Sequence, residues 1–173
     1  MKNKNNRMIV NKIHIITGEI NIMIIEKLTS LEEAPIELLL LADPSRKLVK
    51  KYVTAGECFL AKKNNEIIAV YVLLQTKPNT IEIMNIAVAE KEQRKGIGKE
   101  IIGHAVEYAR KQGYLAIEVG TGNSSIGQLA LYQKCGFRIV GINHDFFVRN
   151  YEEEIIENGI ICRDMIRLER KLT

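Results

Sequence analysis

Ile83-Met84-Asn85-Ile86-Ala87-Val88-Ala89-Glu90-Lys91-Glu92-Gln93-Arg94-Lys95-Gly96-Ile97-Gly98-Lys99 reads as a strand, then a basic loop with two glycines, then the first turn of an amphipathic helix. Glycines without side chains let backbone N–H groups approach an anion. The start of a helix adds unpaired donors and the positive end of a dipole. Arg94, Lys95 and Lys99 bring charge to the same place, and the combination suits a pyrophosphate. Two familiar phosphate motifs fail here. A Walker A loop counted back from Lys99 meets Gln93 where it needs glycine and Glu100 where it needs Ser or Thr. A dinucleotide fingerprint opening at Gly96 meets Ile101 at its third small position.

Working outward, the segment before this stretch has the period of strands. Glu57 to Lys63 and Glu66 to Gln75 are joined by Asn64-Asn65, whose side chains tolerate the left-handed conformation of a tight hairpin. Thr80 to Val88 follows the Lys77-Pro78-Asn79 turn, which predicts an antiparallel meander. Earlier still, Pro35 opens a helical run from Ile36 to Leu41, and Ser45 caps a second helix reaching Ala55, with Gly56 ending it. Met23 to Leu28 reads as a first strand. Residues 1–22 have weak pattern and are expected to be a disordered or loosely attached extension to a single domain over 23–173.

Downstream, Ile97, Ile101, Ile102, Ala105, Val106 and Ala109 mark one face of a helix ending near Gly113. Leu115 to Val119 is a short buried strand, parallel to the one before the helix because a helix must carry the chain back. A helix from Ser124 or Ser125 to Cys135, a strand from Phe137 to Asn143 and a last strand from Ile160 to Leu168 complete the pattern.

Composition narrows the function classes. The 173 residues carry a formal charge of +4, but Lys2, Lys4, Arg7 and Lys12 lie in the extension, where Glu19 is the only acid. From Met23 onward 21 basic residues face 20 acidic ones, so neither a nucleic-acid nor a membrane-surface role is expected. Cys58, Cys135 and Cys162 are widely spaced with no ligand cluster, and His14, His104 and His144 are scattered. No metal site is expected, and the odd cysteine count suits a reducing cytoplasm. No apolar run reaches the length of a membrane helix.

Two motifs in sequence carry a family resemblance. Gln93-Arg94-Lys95-Gly96-Ile97-Gly98 resembles the Q/R-x-x-G-x-G/A signature of the GCN5-related N-acetyltransferase (GNAT) superfamily. Some forty residues on, Leu131-Tyr132-Gln133-Lys134-Cys135-Gly136-Phe137 is similar to its L-Y-x-x-x-G-F signature. The resemblance implies an α/β fold with a mixed, mostly antiparallel, V-shaped sheet flanked by helices, and acetyl-CoA as donor. It implies a cofactor site at Ile86, Ala87, Val88, Gln93, Arg94, Lys95, Gly96, Ile97, Gly98 and Lys99, with Asn123 and Lys134 from the second half. Many relatives have asparagine seven residues before the tyrosine. Here that position is Ser125, and Asn123 lies two residues upstream.

Acyl transfer to an amine needs a base, since a lysine-type amine with a pKa of about 10.4 is protonated at neutral pH. Glu82 is the leading candidate because its spacing before the phosphate loop resembles that of the family's glutamate base, and Glu118 is the second. Tyr132 falls on the family's general acid, a phenol of pKa about 10 facing a thiolate whose thiol has a pKa near 8.5. No histidine partners Cys135, so direct transfer without a covalent enzyme intermediate is expected. The acceptor implied is a primary amine of a small molecule or, failing that, of a protein. The acidic run Glu152, Glu153, Glu154 is a solvated face or an attractor for a cationic amine. The rival reading is a non-catalytic acyl-CoA sensor or partner-binding domain on the same scaffold, against which the presence of both Glu82 and Tyr132 argues. Because many relatives pair through sheet edges or late strands, a homodimer is a further expectation.

Overall fold

The computed structural model describes the backbone of residues 9–16 and 19–172 and the side chains of residues 22–172. Residues 1–8 of the expected extension lie outside the described residues. The rest of that extension is largely strand. β1 (Ile9–Ile16) pairs antiparallel with β2 (Glu19–Lys27), which starts four residues before Met23. Both are dense in β-branched residues, which fit a pleated surface. The register shifts between Val10 and Ile13, and such a shift breaks the period-two pattern by which a strand is read.

The chain forms two compact units: one reaches Val72 and takes up again at Asn85–Ile101, the other comprises Leu73–Met84 and everything from Ile102. In the first, the strand order is β1, β2, β3 (Glu57–Lys63), β4 (Glu66–Lys77), β5 (Thr80–Val88), with β4 and β5 continuing into the second unit. Asn64 and Asn65 have φ of 50° and 64°, the signs a two-residue primed turn demands, so the expected hairpin is present. Helix α1 (Ile36–Leu39) is shorter than expected and closes in 3₁₀-like bonds from Leu41 to Leu38 and Ala42 to Leu39. Pro44 disfavours helical backbone at Asp43 and so forces the stop. In α2 (Arg46–Ala55), Ser45 Oγ accepts from the Leu48 N–H at 3.3 Å, the cap read from the sequence. The helix buries Val49, Tyr52 and Val53, while Phe59 and Tyr71 stack at 4.8 Å in the same unit.

In the second unit the order is β4, β5, β6 (Ala116–Gly122), β10 (Met165–Lys171), β7 (Arg138–Asn143). β5 and β6 are parallel over Thr80–Ile83 against Ala116–Val119, as the intervening α3 (Ile97–Lys111) requires. β10 pairs antiparallel with both β6 and β7, so the mixed α/β architecture is as read. α4 (Ile126–Lys134) links β6 to β7, and β10 lies between those two strands. The last strand begins at Met165 rather than Ile160. Asn158 and Gly159, at φ 55° and 73°, make a turn of their own between β8 (Ile156–Glu157) and β9 (Ile160–Ile161). A short α5 (Phe146–Asn150) precedes that hairpin. β7 is the edge strand, with Ile139 and Val140 exposed.

Helix α3 buries the face expected of it, and among those apolar residues sits His104, only 7% exposed. Burial, helped by the charge of Lys111, pushes its imidazole down from 6.5 to about 4. Between those values the unfolded chain binds a proton that the folded one refuses. Stability is therefore complete above about pH 6.5 and falls toward pH 4, by up to about 3 kcal/mol. Urea unfolding at pH 7 and pH 5 should show this loss in the native chain and a smaller one in His104→Gln.

Candidate active site

The sequence-predicted residues fall into two groups, one per unit. In the first unit, β5 ends in Asn85–Val88, with Asn85 and Ala87 buried and Ile86 and Val88 half-buried. Asn85 anchors the strand: its Nδ2 donates to the Leu39 carbonyl at 3.0 Å and to the Tyr52 hydroxyl at 2.7 Å. The chain then turns through a 3₁₀ segment, Glu90–Glu92, and Gln93 Nε2 donates back to the Val88 carbonyl at 3.0 Å. Gln93, though exposed, thus ties the loop back to the end of β5. Arg94 and Gly96 both take left-handed backbone, at φ 61° and 86°. For arginine that conformation costs about 1–2 kcal/mol, strain of the kind stored at binding loops.

The result suits an anion. A Cβ at Gly96 would meet nothing within 4 Å, so its backbone stands open, and α3 starts immediately after it with its first N–H groups unpaired by the helix. Arg94, Lys95 and Lys99 are exposed, but their charges are not equal. Lys95 is partly neutralised by Glu92 at 3.2 Å, whereas Arg94 and Lys99 have no ion-pair partner among the described residues.

The second unit holds Glu82, Asn123, Tyr132 and Lys134. Glu82 and Glu118 are neighbours on β5 and β6, and Arg167 of β10 spans them: Nη1 to Glu82 Oε1 at 2.5 Å, Nη2 to Glu118 Oε2 at 2.7 Å. Lys77 takes the other Glu118 oxygen at 2.7 Å. Burial works to raise the Glu118 carboxyl, but the hydrogen bonds and charges of Lys77 and Arg167 outweigh it and hold it below the usual range. Both oxygens of Glu118 are occupied, so of the two sequence candidates for a base only Glu82 keeps an oxygen with no described partner.

Tyr132 projects from α4 and is 4% exposed, edge-on to Phe137 with ring centres 5.9 Å apart. Burial, with the Cys135 thiolate charge as a lesser cause, pushes its phenol far above 10. An ordinary phenol is already a weaker acid than the thiol to be regenerated, and burial weakens it further. Its hydroxyl, with no hydrogen bond among the described residues, is better suited to donating a hydrogen bond to a growing thiolate than to handing over its proton outright.

Asn123 has other work. Its Oδ1 accepts from the Arg163 and Asp164 N–H groups at 2.8 and 3.0 Å, and its Nδ2 donates to the Ile161 carbonyl at 3.0 Å. It pins the segment before β10 and retains one amide hydrogen. Ser125, in the family's asparagine position, is tied to Glu157 Oε2 at 2.5 Å. Lys134 is exposed at the end of α4. Sequence reasoning missed Arg167, whose partner Glu82 lies 85 residues away.

An acetyltransferase (GNAT) family model matches residues 26–137, well over half of the chain. The chain belongs to the GNAT family. A curated relative, the N-acetyltransferase YvbK of Bacillus subtilis strain 168, is 60% identical over 132 residues, 76% of this chain and 85% of that protein. The structure of an IAA acetyltransferase from Bacillus cereus ATCC 14579 is 59% identical with a TM-score of 0.84, covering 87% of this chain and 99% of its own. A GNAT acetyltransferase from Elizabethkingia anophelis with acetyl-CoA bound is 51% identical with a TM-score of 0.85, covering 87% and 98%. This GNAT protein is an N-acetyltransferase, and acetyl-CoA is its co-substrate. Among the described residues no helix is long and apolar enough to cross a membrane.

Proposed function

We propose that the protein acetylates a primary amine of a small molecule by direct transfer from acetyl-CoA. The Gly96 loop and the start of α3, with Arg94 and Lys99, hold the diphosphate, and Lys134 serves a further phosphate. The backbone of Ile86–Val88 holds the pantetheine arm. Glu82 takes a proton from the acceptor ammonium through its second oxygen. The freed nitrogen attacks the thioester carbon, the C–S bond breaks, the acylated nitrogen releases its second proton to solvent, and the departing thiolate is stabilised by the Tyr132 hydroxyl. The thiolate leaves as such or takes a proton from solvent, and no bond to the enzyme forms.

The observation that carries this reading is Tyr132: a buried phenol, kept neutral by its surroundings, with a hydroxyl not used by the fold. The cationic character of the acceptor rests on Glu152, Glu153 and Glu154, all exposed in the loop between α5 and β8. The three cysteines, none of them in a disulfide, fit a cytoplasmic setting, and exposed Ile139 and Val140 on the β7 edge favour a homodimer.

Free-thiol release from acetyl-CoA with a panel of polyamines, aminoglycosides and lysine peptides tests the acceptor class. Turnover is expected with a small amine, and replacing the three glutamates by glutamine should raise its KM several-fold. Turnover on the peptides alone would overturn the small-molecule reading, and an unchanged KM would remove the acidic run from acceptor binding.

A further inference from the structure

We propose that Arg167 is the positioning residue for the Glu82 carboxylate, and that it reaches Glu82 through a notch in β6 made by Gly120. The inference rests on the reading of Glu82 as the base. Arg167 lies on β10, two strands away from Glu82, with β6 between them, and its register partner on β6 is Gly120. A Cβ at Gly120 would stand 3.1 Å from Arg167 Nη1 and 2.5 Å from Met165 Sδ, so a side chain there would obstruct the path of the guanidinium. Nη1 also lies 3.7 Å from that sulfur, which flanks the guanidinium on the β10 side.

The charges around the fork explain why Glu82 is the carboxylate left for use. Lys77 from β4, Glu118 from β6, and Arg167 and Glu169 from β10 share this part of the sheet with Glu82. Glu118 receives a cation on each oxygen and is saturated, so it acts as the anchor of the guanidinium. Glu82 receives one, on Oε1. A fork clamped at one tine by Glu118 holds the other at a fixed place. That fixes the rotamer of Glu82 and aims Oε2, as a two-point guanidinium contact does and a lysine point charge does less well.

The test compares Arg167→Gln, Arg167→Lys, Gly120→Ala and Glu82→Gln, with thiol release read on the panel amine of highest kcat/KM and acetyl-CoA affinity read by calorimetry. The expected result is a kcat at least 10-fold lower in Arg167→Gln, partly restored in Arg167→Lys, with acceptor KM and acetyl-CoA Kd within about twofold of the native chain. Gly120→Ala, which retains every charge, should lower kcat in the same selective way. Should Arg167→Gln fail to fold, Arg167→Lys and Gly120→Ala decide the matter. Native kcat in both, or losses shared equally by kcat, KM and Kd, would overturn the positioning role while leaving the base intact. Native kcat in Glu82→Gln would instead overturn the base, and the proposal with it.

Discussion

Tyr132→Phe is expected to lower turnover by about 10²-fold, the scale of losing one donor aimed at developing charge. The substitution is clean in folding terms. The ring is buried against Phe137, phenylalanine refills that space, and the lost hydroxyl makes no hydrogen bond with the described residues. Thermal stability should therefore stay near native while kcat falls, with the KM for acetyl-CoA little changed. Because burial holds the phenol far above its ordinary range, ionisation of Tyr132 adds no descending limb to the native pH–rate profile at the ordinary phenol value of about 10. Near-native turnover in the variant would remove Tyr132 from the mechanism.

The second large effect belongs to the anion cradle. Replacing both Arg94 and Lys99 by glutamate should raise the KM for acetyl-CoA by about 10²-fold or more, since each charged hydrogen bond lost is worth about 1.5–3 kcal/mol. At saturating acetyl-CoA the kcat should recover, which is the signature of uniform binding energy removed. Lys95→Gln serves as the internal comparison. Glu92 already engages that ammonium at 3.2 Å, so its loss should raise KM far less. Both residues of the double variant are exposed, and stability should be near native. A KM within threefold of native would place the diphosphate elsewhere.

These sites differ in how far the sequence disclosed them. The hairpin at Asn64-Asn65, the cap at Ser45 and the strand, loop and helix from Ile83 to Lys111 are local events, decided by residues within a few positions of one another. Their residue types are therefore legible. Arg167 was not, because its contacts are set by the insertion of β10 beside β6, and no local pattern announces a pairing across 85 residues. Asn123 was reached only from two positions outside the family spacing, and its bonds to backbone some 40 residues away had no local signal. The β8–β9 hairpin did carry a signal, Asn158-Gly159 between isoleucines, which was absorbed into an overlong last strand. The strands before Met23 were masked by a register shift that spoils their alternation.

The place of β10 also bears on how the chain reaches this state. It follows β6 and β7 in the chain yet lies between them, bonded to β6 on one side and β7 on the other. Until it arrives, the edges of β6 and β7 that it will cover stand open to foreign strands. Closure must wait for a partner some fifty residues downstream of β6, a non-local step that slows folding. During synthesis, then, the second unit stays incomplete until β10 has been made, and the strand that brings Arg167 to Glu82 is also the one that closes these two edges.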